Sequence, residues 1–338
     1  MRFQALLLMI VISFALLVIK VDGNNSQKAI SIANIEAEDS LVESEASAQT
    51  FGDYFINQNN RSELLVQSNP AVINEPQNSS LNNETDILLE EIGENQISFE
   101  NCADTISAKG AILRNVSQNA DLIELDGKKR WPLASITKLM TAVVAIENLG
   151  KEKEIAISEK AESAFGEAGG IKTGEVFKAI DLIKAMLVVS SNDAGVALAE
   201  NPNEQDFIFL MNKKADELKM TDTHFFDSTG LSFLNQSTTE DLVKLVHYIN
   251  AQSPEIFEIS RQKEIKITEL ISNKSRKLAN INQFSGQNNF LGGKTGHTDE
   301  AGRNLISLFN RNNQMLLAII LGAEDAFKET EKLINCVY

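Results

Sequence analysis

Apolar and polar positions follow helix and strand periods between residues 99 and 338, and this pattern predicts one folded domain there. Strands are predicted at five segments: 110–114, 121–125, 264–270, 303–309 and 315–321. Helices are predicted at six segments: 135–149, 180–189, 193–199, 207–218, 238–249 and 325–337. Since strands lie at both ends and helices between them, the order predicts an α/β (α+β) fold. Its antiparallel sheet would be built from distant segments and flanked by helices, with an inserted helical subdomain.

The first 23 residues form a separate segment, in which an apolar run from 5 to 19 follows Arg2. This pattern predicts a signal peptide or an N-terminal membrane anchor. As a helix, the run would span about 22 Å, short of the roughly 30 Å bilayer core, whereas residues 3–21 come close to the required length. Both alternatives stay open. Either one places the rest of the chain outside the cytoplasm, on the periplasmic or cell-wall side, and it is then secreted or tethered.

Residues 24–98 differ in composition from the segments on either side. Asn, Gln and Ser make up 28 of these 75 residues, and 13 acidic side chains stand against two basic ones. High net charge with few large apolar side chains leaves too little apolar surface to bury. The composition therefore predicts an acidic, disordered tether in front of the folded domain at 99–338.

Composition and charge exclude several classes of function. The chain has 31 Lys and Arg against 47 Asp and Glu, a formal net charge of −16, so no basic surface favours nucleic acid as a partner. Two cysteines exclude a scaffold of several disulfides and a cysteine-rich metal site. The three histidines are far apart and no His-Glu-x-x-His pattern is present, so neither a metal nor another cofactor is expected.

Residues 134–140, Ala-Ser-Ile-Thr-Lys-Leu-Met, contain a serine and a lysine at a spacing of three. In a helix this spacing places Ser135 and Lys138 on one face, one turn apart. A serine hydroxyl is a weak nucleophile until a base takes its proton. A lysine can be that base where burial and a neighbouring cation lower its pKa. The pair is therefore a candidate nucleophile and general base.

Two further motifs follow in the order known for penicilloyl serine transferases. The ordered set is Ser135-x-x-Lys138, Ser190-x-Asn192 and Lys294-Thr295-Gly296. Each motif also has at least one further copy, for example those beginning at residues 260, 80 and 172 respectively, but none of these copies falls in the same order. The order therefore distinguishes the set from chance matches.

The segments around these motifs resemble the serine-type D-alanyl-D-alanine carboxypeptidases, the low-molecular-mass penicillin-binding proteins. The similar segments are residues 132–142, 186–199, 220–231 and 293–302. The resemblance covers about residues 105–337, with Ser191 where glycine is usual and Arg303 where an aromatic or small residue is frequent. It implies a β-lactamase/transpeptidase-like fold. It also implies a peptidase that removes the terminal D-alanine from peptidoglycan stem peptides ending in D-Ala-D-Ala.

The resemblance implies a role for each catalytic residue. Ser135 would attack the carbonyl carbon between the two D-alanines and become acylated, and Lys138 would accept its proton. Ser190 would relay a proton to the leaving nitrogen, and water would then release the acyl group. β-Lactams are expected to acylate the same serine and to act as inhibitors.

The resemblance also implies a set of substrate-binding residues. Asn192 would hydrogen-bond the substrate backbone, while Lys294 and Thr295 would bind its terminal carboxylate. Gly296 would allow the substrate to approach a strand edge closely. The backbone N–H groups of His297 and of the nucleophile would bind the oxyanion, so the imidazole itself has no role.

Three alternatives to carboxypeptidase activity stay open. A DD-endopeptidase that cuts peptidoglycan cross-links would use the same groups on a longer leaving group. A class A serine β-lactamase has a Glu-x-x-Leu-Asn pattern between the second and third motifs, and no glutamate there begins one. A catalytically weak wall-binding module would not need the complete motif set.

Cys102 and Cys336 lie near the two ends of the domain, where the terminal strands and the closing helix are expected to pack together. A location outside the cytoplasm makes a disulfide between them one hypothesis. Two free thiols are the other hypothesis, and the sequence leaves both open.

Overall fold

The computed structural model of the chain describes Cys102, residues 104–166 and residues 168–337. The predicted signal peptide or anchor at 1–23 and the acidic tether at 24–98 lie outside the described residues. Within the described part of the chain, no helix is both long enough and apolar enough to cross a membrane.

Every predicted strand and helix overlaps an observed one, and further elements lie between them. The strands are β1 (Gly110–Asn115), β2 (Ala120–Leu125), β3 (Trp131–Pro132), β4 (Glu154–Ala156), β5 (Val176–Lys178), β6 (Gln236–Ser237), β7 (Glu264–Thr268), β8 (Ser275–Ala279), β9 (Phe290–Thr298), β10 (Gly302–Arg311) and β11 (Gln314–Ala323). The helices are α1 (Lys138–Asn148), α2 (Glu159–Glu162), α3 (Ala179–Val188), α4 (Asn192–Ala199), α5 (Glu204–Glu217), α6 (Thr239–Gln252), α7 (Glu255–Ser260) and α8 (Ala326–Val337). A 3₁₀ turn over Ala134–Thr137 leads into α1.

Five strands form one antiparallel sheet in the order β2-β1-β11-β10-β9. The first strand, β1, pairs with the last strand, β11, so that Gly110 lies opposite Leu321. This pairing confirms the prediction of an antiparallel sheet assembled from distant segments. The edge strand β9 pairs with β10 and carries the Lys-Thr-Gly motif.

Apolar side chains cover both faces of the sheet, because successive strand residues point to opposite sides. In β11, Leu317 and Ile319 belong to the larger core, whereas Ala318 and Ile320 belong to a smaller one. The inserted helices pack around the larger core, and α8 closes the smaller core with Leu333. The structure is therefore an α/β fold in which the sheet lies between helices, as predicted.

Some elements differ from the sequence prediction. The segment 135–149 does not begin as an α-helix, because its first turn is 3₁₀ and Ala134 has a φ of 47°. The strand predicted at 264–270 is shorter, and it pairs with β8 in a separate hairpin instead of joining the main sheet. The apolar pattern did not predict β9, because three glycines and a lysine interrupt it.

Cys102 and Cys336 form a disulfide, with their Cα atoms 6.0 Å apart. Both side chains are partly buried and pack against the smaller core beside α8. Of the two alternatives that the sequence left open, the structure contains the bonded one. The bond links positions 234 residues apart, so it closes a loop that includes all three sequence motifs.

Candidate active site

The candidate nucleophile lies in a constrained turn. Ser135 is the second residue of the 3₁₀ turn, and Ala134 before it has a left-handed φ of 47°. Such a backbone costs a non-glycine residue about 1–3 kcal/mol, so neighbouring contacts must hold it. The N–H of Leu133 donates to the carbonyl of Asn235 at 2.8 Å, and Asn304 Nδ2 donates to the carbonyl of Leu133 at 3.0 Å. These two bonds anchor the chain just before the serine.

Lys138 follows at the start of α1 and is fully buried. Its Nζ lies 2.8 Å from Ser135 Oγ, 2.6 Å from Asn192 Oδ1 and 2.6 Å from the carbonyl oxygen of Thr229. A neutral amine has two N–H donors and one lone pair. In the neutral form of Lys138, the amide and carbonyl oxygens, which can only accept, bind the two N–H groups, and the lone pair then faces the serine hydroxyl.

The surroundings of Lys138 favour the neutral amine. Burial lowers the pKa of Lys138 well below its usual value of 10.5, and the charge of Lys294 lowers it further, while Asp227 raises it. Desolvation acts against the charged form of any buried ionisable group. Lys138 therefore combines a lowered pKa with direct contact to a hydroxyl, the two properties required of a general base.

Lys294 and Ser190 form a second polar pair at the site. Lys294 Nζ lies 3.0 Å from Ser190 Oγ, and it donates to the carbonyl oxygen of Thr295 at 2.8 Å. Burial lowers the pKa of Lys294 to about 7. Ser190 stands between α3 and α4 with a left-handed φ of 60°, a second strained position at this site. Because an ammonium and a carboxylate stabilise each other, a bound carboxylate would draw a proton onto Lys294.

Asn192 is the first residue of α4, and both ends of its amide are held. Its Oδ1 accepts from Lys138, and its Nδ2 donates to the carbonyl oxygen of Phe165 at 2.6 Å. Ser191, at the position where glycine is usual, caps the helix, because its Oγ accepts from the N–H of Ala194 at 3.2 Å. A serine cap typically contributes about 0.5–2 kcal/mol, so this departure from the family pattern has a structural reason.

Glycines allow β9 to approach the nucleophile turn. A methyl group at Gly296 would lie 2.8 Å from the carbonyl oxygen of Leu133 and 3.1 Å from the nitrogen of Ser135. A methyl group at Gly293 would lie 2.1 Å from the carbonyl oxygen of Ile306. The close contact between β9 and the serine backbone therefore requires glycine at 296, whereas glycine at 293 is required by the close approach of β9 to its neighbour β10.

A cleft of about 360 Å³ opens at the nucleophile. Five predicted residues line it: Ser135, Ser190, Thr295, Gly296 and His297. The other three, Lys138, Asn192 and Lys294, are buried and reach the first group through hydrogen bonds. All eight sequence-predicted residues therefore lie at one place. Among the described residues, β9 pairs on one side only, so its other edge is open to an extended peptide.

Asn304 supports the site, although sequence reasoning did not single it out. This buried side chain on β10 donates to the carbonyl oxygens of Pro132 at 2.8 Å and Leu133 at 3.0 Å. Its Oδ1 accepts from the N–H of Gly322 at 2.8 Å. One amide therefore ties the nucleophile turn to the sheet. No local pattern identifies it, because its partners are 18 to 172 residues away.

Asp227 and Asn235 hold the loop that supplies the carbonyl oxygen of Thr229. The Asp227 carboxylate accepts from the N–H groups of Thr229 and Gly230, both at 2.6 Å. Asn235 Nδ2 donates to the carbonyl oxygen of Asp227 at 2.9 Å. The family-like stretch 220–231 marked this region in the sequence, but it did not reveal that a backbone oxygen of this loop binds Lys138.

The second copies of the Ser-x-x-Lys and Lys-Thr-Gly motifs have structural roles away from the nucleophile. Ser260 is buried, donates to the carbonyl oxygen of Phe257 at 3.2 Å, and accepts from the N–H of Gly293 at 3.0 Å. The second Lys-Thr-Gly, at 172–174, is a turn whose lysine and threonine both contact Glu162. The copy at residue 80 lies outside the described residues. Within 104–166 and 168–337, no group of three His, Cys, Asp or Glu side chains is arranged to hold a metal ion.

Comparison with known proteins points to the same part of the chain. The family described as D-alanyl-D-alanine carboxypeptidase, Peptidase S11, matches residues 97–325. Over 251 residues the chain is 30% identical to D-alanyl-D-alanine carboxypeptidase DacC of Escherichia coli strain K12, covering 69% of this chain and 62% of that protein. Over 214 residues it is 32% identical to a D-alanyl-D-alanine endopeptidase of Pseudomonas aeruginosa, covering 61% and 66%. The chain therefore spans less than two thirds of the length of these curated relatives.

A solved structure gives the same result for the fold. Penicillin-Binding Protein D2 from Listeria monocytogenes, in its cefotaxime-bound form, is 30% identical with a TM-score of 0.61. The match covers 69% of this chain and 97% of that one. The sheet, helices and cleft thus have the fold of a penicillin-binding protein, as the resemblance implied.

Proposed function

Because this chain belongs to the D-alanyl-D-alanine carboxypeptidase family of peptidases, Peptidase S11, we propose that it is itself a serine-type carboxypeptidase. Its substrates are peptidoglycan stem peptides ending in D-Ala-D-Ala, and it releases the terminal D-alanine. The contact between Lys138 Nζ and Ser135 Oγ, 2.8 Å long, carries the proposal. In this contact a buried amine with a lowered pKa lies against a hydroxyl beside an open strand edge.

In the first step, Ser135 Oγ forms a bond to the carbonyl carbon between the two D-alanines, and its proton moves to Lys138. The carbonyl oxygen becomes an oxyanion between the backbone N–H groups of Ser135 and His297. The carbon–nitrogen bond then breaks, and the nitrogen of the departing D-alanine takes a proton through Ser190. Lys294 Nζ lies 3.0 Å from Ser190 Oγ, so this hydroxyl connects Lys294 to the leaving group.

In the second step, water attacks the ester carbon, the serine oxygen leaves, and the peptide shortened by one D-alanine departs. Lys138 again serves as base, now toward the water, and returns a proton to Ser135. A β-lactam enters the same first step, but its leaving nitrogen stays attached to the acyl group. β-Lactams are therefore acylating inhibitors in this proposal.

The substrate binds as an extended strand along the open edge of β9. Its terminal carboxylate lies at Lys294 and Thr295, and its scissile carbonyl lies at His297. The C-terminal end of the peptide therefore lies at earlier residues of β9 than the carbonyl that precedes it, so the peptide is antiparallel to the strand. One N–H of the buried Asn192 amide donates to Phe165, and the second N–H is the group that binds the peptide backbone in this proposal.

A DD-endopeptidase is the second candidate function. Three curated relatives carry the name D-alanyl-D-alanine endopeptidase, at 31–34% identity. The same catalytic groups serve both reactions, and only the size of the leaving group differs. A β-lactamase and a catalytically weak wall-binding module are the remaining alternatives, and acylation by a fluorescent penicillin followed by product analysis separates all four.

We also propose that the domain works outside the cytoplasm, held near the membrane by residues 3–21 or secreted after their removal. The disulfide between Cys102 and Cys336 supports this location, because such bonds persist in oxidising compartments. The proposed substrate is found on the same side of the membrane. Alkaline extraction of membranes from cells expressing the full chain tests the tether: an anchored protein stays in the pellet.

The test of function is acylation of the full chain by a fluorescent penicillin, compared with Ser135→Ala. A stable label on the wild type, absent from the variant and kept by the exposed-serine control Ser163→Ala, is the expected result. Release of D-alanine from a pentapeptide, against cleavage of a cross-linked dimer, then separates carboxypeptidase from endopeptidase. A label lost within seconds would indicate a β-lactamase. No label on folded protein would leave the wall-binding module.

A further inference from the structure

One surface loop exposes several large apolar side chains together. Residues 225–235 form a loop that is closed at its base, where the N–H of His224 donates to the carbonyl oxygen of Gln236 at 3.0 Å and the reverse bond measures 3.1 Å. Four large apolar side chains of this loop are between 41% and 54% exposed: Phe226, Leu231, Phe233 and Leu234. The other exposed large apolar side chains of the described residues belong to different segments: Phe165, Phe209, Ile271 and Ile281. Single exposed apolar side chains are ordinary, whereas a group of them marks an interaction surface.

The loop contains one charge, and its own donors bind that charge. Asp227 is the only charged residue among residues 225–235. Its carboxylate accepts from the N–H groups of Thr229 and Gly230, both at 2.6 Å. It also accepts from the hydroxyl of Thr229 at 2.8 Å and from the N–H of Ser232 at 2.7 Å. Because four donors of the loop bind these two oxygens, the carboxylate does not depend on water for its hydrogen bonds.

The backbone of the exposed part of the loop also finds its partners inside the loop. Three more N–H groups donate to oxygens of the loop itself at 3.1–3.3 Å, those of Leu231, Leu234 and Asn235. With the three that Asp227 binds, six of the seven N–H groups in 229–235 have acceptors inside the loop. A lipid phase offers a backbone group no hydrogen bond, so a segment that enters it must satisfy its own. A protein partner that added a strand would instead need free N–H groups, so these bonds favour lipid.

The sequence outside the described residues predicts a membrane within reach of this loop. Residues 3–21 have the apolar pattern of a signal or anchor, and the 75 residues at 24–98 are the predicted tether. As a flexible coil, a chain of that length would span about 50 Å. A tether of this reach raises the effective concentration of membrane at the domain, so a weak second contact is sufficient. The inference rests on the proposed location beside the membrane, and it does not rest on the proposed peptidase activity.

We propose that the loop at 225–235 docks on the membrane surface outside the cytoplasm, with lipid acyl chains as its partner. Phe226, Leu231, Phe233 and Leu234 enter the boundary between headgroups and acyl chains, at a depth of about 5–10 Å. The contact is apolar, so salt does not release it. Gly230 lies against the carbonyl oxygen of Ala134 in the nucleophile turn. Docking of the loop therefore sets the orientation of the catalytic cleft relative to the membrane.

The experiment places a fluorescent label on the loop of the full chain, reconstituted in vesicles of phosphatidylethanolamine and phosphatidylglycerol. Phe233→Cys carries a nitrobenzoxadiazole label, and the two native cysteines do not react because they are bonded to each other. Ile271→Cys is the matched control, because Ile271 is an exposed apolar residue in the turn between β7 and β8. We expect lipids with brominated acyl chains to quench the label at 233 and to leave the label at 271 unchanged. The quenching at 233 should persist in about 1 M salt, where the Debye length is about 3 Å.

Two substitutions in the chain labelled at 233 test the apolar side chains. Leu231→Ser combined with Leu234→Ser should lower the ratio of docked to free label about tenfold, because each half-exposed side chain contributes about half the transfer free energy of a fully buried one. Ile271→Ser removes an exposed apolar side chain elsewhere and should leave the ratio unchanged. Urea unfolding midpoints equal to that of the labelled parent show that these variants keep the fold.

The outcomes separate docking from peptidase activity. In Ser135→Ala the label at 233 should still be quenched, so docking is observed whether or not D-alanine is ever released. Absence of quenching at 233, equal quenching at 233 and 271, or quenching that survives the double substitution overturns the proposal. A blue shift that grows with protein concentration in the absence of vesicles also overturns it, because the loop would then bind a second copy of the chain.

Discussion

Replacing Gly230 by alanine tests whether the loop around Thr229 holds the nucleophile turn in place. Gly230 has a φ of 87°, and a methyl group there would lie 1.8 Å from the carbonyl oxygen of Ala134 and 3.0 Å from the nitrogen of Ser135. Both contacts are with backbone atoms, which no rotamer change can relieve. To restore ordinary van der Waals contact, the two segments must separate by about 1.6 Å.

The expected loss of activity follows from that displacement. A misplacement of about 1 Å at reacting groups can lower a rate about 100-fold. We therefore expect Gly230→Ala to slow acylation by a fluorescent penicillin at least about 100-fold. The free energy of unfolding should fall by about 2–5 kcal/mol, combining about 1–2 kcal/mol for the left-handed backbone with about 1–3 kcal/mol for overpacking.

Gly174→Ala is a matched control, because it reproduces the backbone strain without the collision. Gly174 has a φ of 82°, and no atom lies within 4 Å of an added methyl group. It should lose about 1–2 kcal/mol of stability and acylate at the wild-type rate. Acylation rates by gel fluorescence and unfolding by urea are measured on both variants. Wild-type acylation by Gly230→Ala, with a stability loss no larger than that of Gly174→Ala, would refute the reasoning.

Three further expectations concern the buried lysines and the disulfide. Lys294→Met removes a charge that lowers the pKa of Lys138, so the pKa of Lys138 should rise. The acidic limb of the pH profile of penicillin acylation should then move to higher pH. An acidic limb at the wild-type pH would contradict the electrostatic coupling between the two lysines. Asn192→Ala removes the acceptor of a buried N–H of Lys138 and should slow acylation at least about tenfold, measured by stopped-flow mixing. An unchanged rate would mean that Lys138 is oriented without Asn192. Cys102→Ser opens a loop of 234 residues and should lower the free energy of unfolding by about 5 kcal/mol, seen as a lower urea midpoint. A variant with the same urea midpoint as the oxidised wild type would exclude this stabilisation.

Local patterns in the sequence predicted most of the elements and the principal chemistry. Helical spacing alone related Ser135 to Lys138, and apolar periodicity located β10 and β11 to within a few residues. Both depend on contacts between near neighbours, which the chain specifies through its local geometry. The order of the three motifs was sufficient to distinguish the true set from the copies, although each copy has the same residue types.

Other parts of the site depend on segments that are distant in sequence. The carbonyl oxygen of Thr229 lies 91 residues from Lys138, and Asn304 reaches back 172 residues to Pro132. The 3₁₀ turn at Ala134–Thr137 departs from the regular helix that the spacing suggests, because these distant bonds hold a strained backbone there. No local pattern in the sequence could have identified these long-range hydrogen bonds.

The sequence by itself therefore determined which residues could carry acyl transfer and which segments form helices and strands. Only the tertiary structure decided that Lys138 is buried and that its Nζ contacts Ser135 Oγ and two carbonyl oxygens. The physical reason is that hydroxyls and amines acquire their reactivity from their surroundings. Those surroundings come from strand pairings and loop contacts between residues that the chain brings together only when it folds.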